Sequence, residues 1–310
     1  MENYGIDMKG KIQVENVSTL PAWASTDERR VIYVADEDKL YYGSNSEWVA
    51  VLDNNYVSGH NKGWYKRPYF EHVDDDTIDI YPGAYHYEGN GTTPPEQIVY
   101  WNDKLTFQLG SGGSNASSSA LGADEWHFIY LHAPSINTND SPILDETCFI
   151  NSTVQPPILT TGGYGFYYST SRSIFMLKTD GDGDIIEFYQ ADNYISWADY
   201  VSIYSNLTLS TTWQNATLDL PISMGINLKA NVTFYQSYVS GSSPYLWWRT
   251  DGQTGSNGHV VSEVSEDDIA SVTNQDVVGR KSTNVIEVKS TNASSNLIIY
   301  QNGYYLPIGM

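Results

Sequence analysis

The chain has 310 residues and is strongly acidic, with 37 Asp and Glu residues against 16 Lys and Arg and a formal net charge of −21. Such a charge repels a phosphate backbone and argues against nucleic-acid binding. Aromatic residues make up 14% of the sequence, and because aromatic and β-branched side chains suit strands, the composition predicts an all-β fold. No stretch approaches the roughly 18 apolar residues of a transmembrane helix, so we expect no membrane insertion.

The N-terminal residues 1–11 are interpreted as a short leader. They lack a basic segment followed by an apolar run, so the sequence predicts no secretory signal and we expect synthesis in a cytosol. The single cysteine, Cys148, excludes an intramolecular disulfide and a cysteine-based zinc site. It lies in the apolar run 147–150, which predicts a buried and unreactive thiol.

Residues 12–52 predict a small aromatic β-hairpin module, with strands at 30–34, 39–42 and 48–51. A unit of this size buries little surface alone, so we expect residues 1–52 to dock on sister chains or on a larger assembly. The predicted docking residues are the large aromatic ones, namely Trp23, Tyr33, Tyr41, Tyr42 and Trp48.

The remaining sequence predicts a connector at 53–72 and a β-sandwich domain at 73–310. Short apolar or alternating runs separated by Gly, Asn, Asp and Ser predict two packed antiparallel sheets of jelly-roll-like style. The run 126–131 is apolar on both faces and predicts a central strand. Other predicted features are a flexible Gly/Ser-rich loop at 110–123, a polar loop at 250–283 with one capped helical turn near 265–270, C-terminal strands at 284–308, and a hairpin turn at Asn302-Gly303.

One acidic segment has the spacing of a calcium loop. Asp180, Asp182 and Asp184 alternate with glycines, but the twelfth position is Ala191, where an EF-hand carries a bidentate glutamate. Asp-Gly also suits a hairpin, so a plain turn is the favoured interpretation and cation binding by these aspartates stays open. The six histidines have no metal-ligand spacing, and no nucleophile, phosphate or dinucleotide motif occurs, so we expect no catalytic residues, metal or cofactor.

Aromatic residues near predicted loops are candidates for stacking on sugars. Their alternative role is in the core or at an interface between proteins. These candidates are Trp64, Tyr65 and Tyr69 in the connector, and Tyr164, Phe166, Tyr167 and Tyr168 after a Gly-Gly pair.

Two sets of segments resemble modules of bacteriophage tail fibres and other virion appendage proteins. The first set, similar to a short repeated β module, comprises residues 20–21, 30–33, 39–43 and 47–49. The second set, similar to a β-sandwich module of phage structural proteins, comprises residues 81–84, 101–107, 123–131, 286–289 and 303–307.

The resemblance implies a virion structural protein assembled in the host cytoplasm. No collagen-like, coiled-coil or β-helical shaft is visible, which favours a compact tail-fibre, appendage or head-decoration component over a long fibre. Its implied partners are other virion proteins and sister chains in a homo-oligomer, with a trimer favoured, and a host-surface glycan is a candidate ligand for host attachment. The alternatives are a soluble carbohydrate-binding protein, a glycan hydrolase with paired carboxylates, and a cytosolic β-protein of a host cell.

Overall fold

The computed structural model describes residues 15–22, 24, 31–34, 39–44, 47–53, 64–87, 97–138, 142–153, 157–159, 165–221, 224–237, 244–255, 258–263, 270–292 and 295–310. The chain divides into two compact units, residues 1–61 and 62–310. Apart from helix α1 (Ala133–Thr138) and a 3-10 turn (Glu146–Cys148), the regular structure of the described residues is β. The predicted all-β, antiparallel, sandwich-like fold class is therefore confirmed. Within these ranges no helix has the length and apolar character to cross a membrane.

Unit 1–61 contains a four-stranded sheet of β1 (Glu15–Val17), β2 (Val31–Val34), β3 (Lys39–Ser44) and β4 (Glu47–Asp53) in that order. The pairs β2–β3 and β3–β4 are antiparallel, as the aromatic module predicts, whereas β1 adds to β2 in parallel. Ile32 and Val34 are fully buried in this sheet, with Val17 and Leu20 packed against them.

The predicted docking residues lie at the limit of what the structure describes. Tyr33, Tyr41, Tyr42 and Trp48 belong to β2, β3 and β4, but their side chains, and all of Trp23, lie outside the described part. Docking through these residues stays a prediction.

Unit 62–310 holds twenty described strands. They are β5 (Trp64–Lys66), β6 (Phe70–Asp74), β7 (Thr77–Ile80), β8 (Gly83–Tyr87), β9 (Gln97–Trp101), β10 (Leu105–Gln108), β11 (Trp126–Leu131), β12 (Phe149–Ser152), β13 (Ile158–Leu159), β14 (Phe166–Tyr168), β15 (Ser171–Lys178), β16 (Phe188–Ala191), β17 (Tyr194–Thr208), β18 (Gln214–Thr217), β19 (Leu228–Ser237), β20 (Tyr245–Thr250), β21 (His259–Glu263), β22 (Ala270–Gly279), β23 (Val285–Ser290) and β24 (Asn296–Tyr305).

These strands form five sheets where the sequence predicts two, with orders β5-β8-β9, β10-β7-β6, β12-β11-β15-β14-β13, β16-β17-β24-β19-β22 and β18-β23-β20-β21. One hydrophobic core includes residues of all five. Phe70 of β6, for example, stacks on Phe175 of β15 with ring centroids 4.1 Å apart. The strand β11 is buried between β12 and β15, as its apolar run predicts, and Cys148 is buried as expected.

Two segments predicted to lack strands contain them. The predicted connector 53–72 includes β5 and the start of β6, because Phe70 is drawn into the core and residues 64–66 pair with β8. The predicted polar loop 250–283 includes the whole of β21 and β22. The strand β22 is polar because it is an edge strand of its sheet, and edge strands carry polar side chains that discourage further pairing. The helical turn predicted near 265–270 falls almost entirely outside the described residues.

The predicted hairpin turn at Asn302-Gly303 is wrong, since both residues lie inside the continuous strand β24. Glycine is required at position 303 because the backbone of a neighbouring strand lies too close for a side chain, and not because the chain turns there. A Cβ atom on Gly303 would stand 2.0 Å from the backbone oxygen of Ile195 in β17. Asn302 donates from its amide to the side chains of Asn231 and Thr233 of β19, at 2.9 Å each.

The loop 110–123, predicted to be flexible, is held by hydrogen bonds, several of which are made by one buried residue. Asn151 accepts from the N–H of Gly110 and donates to the carbonyl of Ser119, both at 2.9 Å. Its amide also lies 3.0 Å from Nδ1 of the buried His127, which fixes that nitrogen as an acceptor. Burial lowers the pKa of His127 to about 4, so the imidazole is neutral at pH 7.

We predict that Gly303→Ala lowers the free energy of unfolding by about 3 kcal/mol, because overpacking at a close backbone contact forces strands apart. The matched control is Gly181→Ala, where an added Cβ meets no atom within 4 Å and the change should stay within about 0.5 kcal/mol. Urea denaturation of the two variants checks both values. Equal stability of the two variants would refute the close approach of β17 and β24.

Candidate binding site

The acidic segment around Asp180 is a hairpin turn, as favoured from the sequence. The Asp180 carboxylate accepts from the N–H groups of Asp182 at 2.9 Å and Asp184 at 3.0 Å, and Gly183 takes a φ of 90°. Burial, together with neighbouring carboxylates such as Asp75, raises the pKa of Asp184. Within the described ranges, no group of three or more His, Cys, Asp or Glu side chains is placed to hold a metal ion.

The predicted sugar-contact residues of β14 have different environments. Tyr167 is half-buried, its hydroxyl lies 3.3 Å from a guanidinium nitrogen of Arg172, and its ring faces that guanidinium at 5.6 Å. Tyr168 is 37% exposed. Trp64 and Tyr65 lie in β5, but their side chains are outside the described part, as is the whole of Tyr164.

Two open clefts lie side by side in unit 62–310 and share Asn193. The Tyr69 cleft has a volume of about 340 Å³ and is lined by Arg67, Pro68, Tyr69, Gln190, Asp192 and Asn193. The Tyr305 cleft has a volume of about 330 Å³ and is lined by Asn193, Asn227, Leu228, Lys229, Tyr305, Leu306, Pro307 and Ile308. Neither lining includes Tyr167 or Tyr168, whereas Tyr69, one of the connector candidates, contributes to the first.

The turn between β16 and β17 builds the wall between the two clefts. Asp192 has a φ of 54°, a left-handed conformation that aspartate tolerates better than most residues. The next residue, Asn193, accepts from the N–H of Leu306 at 2.7 Å, which continues the pairing of Tyr194 with Tyr305 beyond the end of β24. The wall is therefore held by backbone hydrogen bonds at the ends of two long strands.

The Tyr69 cleft presents an aromatic ring beside polar side chains. Tyr69 is 41% exposed and packs edge-on against Tyr81, with ring centroids 5.3 Å apart. Gln190 is fixed, because its oxygen accepts from the N–H of Phe70 at 2.7 Å and its nitrogen donates to the carbonyl of Asp192 at 2.9 Å. The ring and the polar groups of Gln190, Asp192 and Asn193 thus line one concave surface.

The one cation in the described lining of the Tyr305 cleft, Lys229, is neutralised by a carboxylate. Tyr305, Lys229 and Asp276 come from the neighbouring strands β24, β19 and β22. The Tyr305 hydroxyl donates to Asp276 at 2.9 Å, and the Lys229 ammonium lies 2.8 Å from the same carboxylate and 4.1 Å from the Tyr305 ring centroid. Burial tends to raise the pKa of Asp276, but hydrogen bonds from Lys229, Asn231 and Tyr305 hold it below its usual value.

Sequence reasoning named Tyr69 but missed the other residues that line the clefts. Residues 67–69, 190–193, 227–229 and 305–308 are far apart along the chain, and no motif joins them. The one local signal is the Asp192-Asn193 pair, which is typical of a hairpin turn and carries no information on a ligand.

No family model and no curated protein matches this chain. Among solved structures, the crystal structure of a Bacillus thuringiensis Cry1Da tryptic core variant aligns at 8% identity with a TM-score of 0.16. The alignment covers 96% of this chain, which spans 60% of the length of that one. A similarity this low carries no structural or functional argument.

The geometry of the Tyr305 cleft predicts the titration of Tyr305. Burial, and after it the hydrogen bond to Asp276, raises the pKa of Tyr305 to about 12. Asp276→Asn removes a negative charge that opposes the phenolate, so the pKa of Tyr305 should fall yet stay above its ordinary value of about 10 because burial remains. NMR titration of ¹³C-labelled tyrosine checks this, with Tyr305→Phe assigning the signal. An unchanged pKa in Asp276→Asn would contradict the hydrogen bond.

Proposed function

We propose that this chain is a non-enzymatic structural protein of a phage virion that attaches to host-surface glycans through the Tyr69 cleft. The observation that carries the binding role is the exposed Tyr69 ring in a concave surface with Gln190, Asp192 and Asn193. The virion role is supported by the resemblance of the sequence segments to tail-fibre and appendage modules.

A sugar suits this lining for physical reasons. Binding sites for small ligands combine apolar or aromatic surface with a few placed polar groups that fix orientation. The tyrosine ring offers a flat apolar face, while amide and carboxylate groups donate to and accept from hydroxyls. Gln190 is held by Phe70 and Asp192, so little side-chain entropy is lost when a ligand binds beside it.

The lining favours binding over hydrolysis. Glycosidases place two carboxyl groups about 5–9.5 Å apart on either side of the scissile bond. The described lining of the Tyr69 cleft includes one carboxylate, Asp192, and that of the Tyr305 cleft includes none, because Asp276 is bonded to Tyr305 and Lys229 but is not itself part of the lining. The hydrolase alternative has no carboxylate pair in either cleft.

The attachment role predicts glycan binding by the full chain. On an array of neutral and anionic glycans that includes bacterial surface polysaccharides, we expect binding that Tyr69→Ala weakens about tenfold, since stacking and burial of one aromatic ring are lost. No reducing sugar should be released from the bound glycans.

The matched control is Tyr200→Ala, because Tyr200 is also an exposed tyrosine, 61% accessible, and lines neither cleft. This variant should bind like the parent chain. Binding that survives Tyr69→Ala, or that fails equally in both variants, would refute the assignment of the Tyr69 cleft. Catalytic sugar release would refute the non-enzymatic role.

The structural role predicts that the full chain forms a homo-oligomer, with a trimer favoured. The sheet of unit 1–61 is small, and its described core is centred on Ile32 and Val34, so further burial against sister chains should stabilise it. Combined Tyr41→Ala and Trp48→Ala should shift the full chain to monomer in analytical ultracentrifugation, whereas Tyr200→Ala should not. A full chain that is monomeric at micromolar concentration would overturn the docking role of the aromatic module.

A further inference from the structure

The Tyr69 cleft and the Tyr305 cleft lie on the two sides of a single residue. Asn193 lines both, and its backbone and side chain are tied to Leu306, which lines the Tyr305 cleft. The two clefts therefore meet at this residue, and both are open to solvent. A ligand that occupies one cleft is adjacent to the other.

The volumes of the clefts indicate that each holds only one portion of a larger ligand. Ligand sites in proteins have volumes of about 300–1,000 Å³. Each cleft, at about 340 Å³ and about 330 Å³, stands at the lower limit of that range, whereas the two together lie well inside it. A chain of linked sugars would fill both, with one ring in each cleft and the linkage beside Asn193.

The charges of the clefts favour a neutral chain. Each of the two cations in the described linings has a carboxylate that offsets its charge, because Arg67 interacts electrostatically with Asp192 and Lys229 pairs with Asp276. Arg67 and Asp192 line the Tyr69 cleft together, and the chain as a whole carries −21. A uronic or sialic acid would be repelled by this field and would find no cation without a partner in these linings.

We infer that the two clefts are adjoining subsites of one groove that binds a neutral oligosaccharide of at least two residues. This inference rests on the proposed function, since it assigns the chemical class and length of the ligand of the Tyr69 cleft. Tyr69 provides the aromatic surface of the first subsite. Asn227 and the 88% exposed Ile308 provide polar and apolar contacts of the second.

The experiment is isothermal titration calorimetry of the full chain with three neutral series, each of one, two and three residues: maltose-type glucose oligomers, chitin-type N-acetylglucosamine oligomers and galactose oligomers. The anionic match for galactotriose is trigalacturonic acid. In the series that binds, we expect the trisaccharide to bind at least tenfold more tightly than the monosaccharide. Trigalacturonic acid should bind at least tenfold more weakly than the neutral trisaccharide of that series.

The variants separate the two subsites. Asn227→Ala should weaken trisaccharide binding about fivefold, the value of one hydrogen bond, and leave monosaccharide binding unchanged within about twofold. Ile308→Ala should likewise weaken trisaccharide binding and leave monosaccharide binding unchanged. Because Ile308 is exposed, this variant should fold even if Asn227→Ala does not, and the test then rests on it. Tyr69→Ala should weaken both ligands, and Tyr200→Ala neither.

The outcomes distinguish this inference from the proposed function. Equal affinities for monosaccharide and trisaccharide, with Ile308→Ala without effect, would overturn the two-subsite groove and leave the Tyr69 cleft as a glycan site. Tighter binding of trigalacturonic acid would overturn the neutral ligand. Lack of binding by every sugar of the three series, with binding retained on the glycan array, would overturn the neutral groove alone, and lack of binding in both experiments would overturn the proposed function as well.

Discussion

Two arginines of unit 62–310 hold the residues on which both clefts depend. Arg172 is fully buried and donates to the backbone oxygens of His86 and Gly309, while Arg67 donates to those of Pro307 and Met310. A buried guanidinium must be satisfied, and its five donors in a planar fork suit a cluster of carbonyl oxygens. The segment 307–310 is thereby fixed, and its first two residues form one wall of the Tyr305 cleft.

The buried guanidinium of Arg172 is accommodated by a glycine, which leaves room for it, and by two aromatic rings, which stabilise its charge. A Cβ atom on Gly165 would stand 2.8 Å from the Arg172 guanidinium, so glycine leaves the room that the charge needs. The rings of Tyr85 and Tyr167 lie 5.1 and 5.6 Å from the guanidinium carbon and stabilise it by cation–π attraction. The clefts are thus built on paired strands and on a buried guanidinium that donates to backbone oxygens, which favours preformed binding surfaces over surfaces that close around a ligand.

The sequence predicted those parts of the fold that local pattern determines. The continuous apolar run of β11, buried almost throughout, and the alternation of β19 are both visible within a few residues of sequence. The sequence wrongly predicts a turn at Gly303, because the atom that requires glycine there, the backbone oxygen of Ile195, lies more than a hundred residues away in the sequence. The clefts are not predictable from the sequence for the same reason, because their lining residues are far apart along the chain. Tyr69 is the exception, since an aromatic residue near a predicted loop is a candidate by itself, but only the folded chain brings its neighbours together.

The charge distribution of the clefts connects the proposed glycan binding with the proposed oligomerisation. Because Asp192 and Asp276 offset the charges of Arg67 and Lys229, the clefts exert little electrostatic attraction on a ligand at a distance, and a neutral sugar gains nothing from electrostatic steering. On the proposed function, an open site of this kind should bind one glycan weakly. Linking several sites raises the apparent affinity by about 10²–10⁴ without any new contact. On this proposal, oligomerisation through the aromatic module is what would make weak glycan recognition sufficient for attachment.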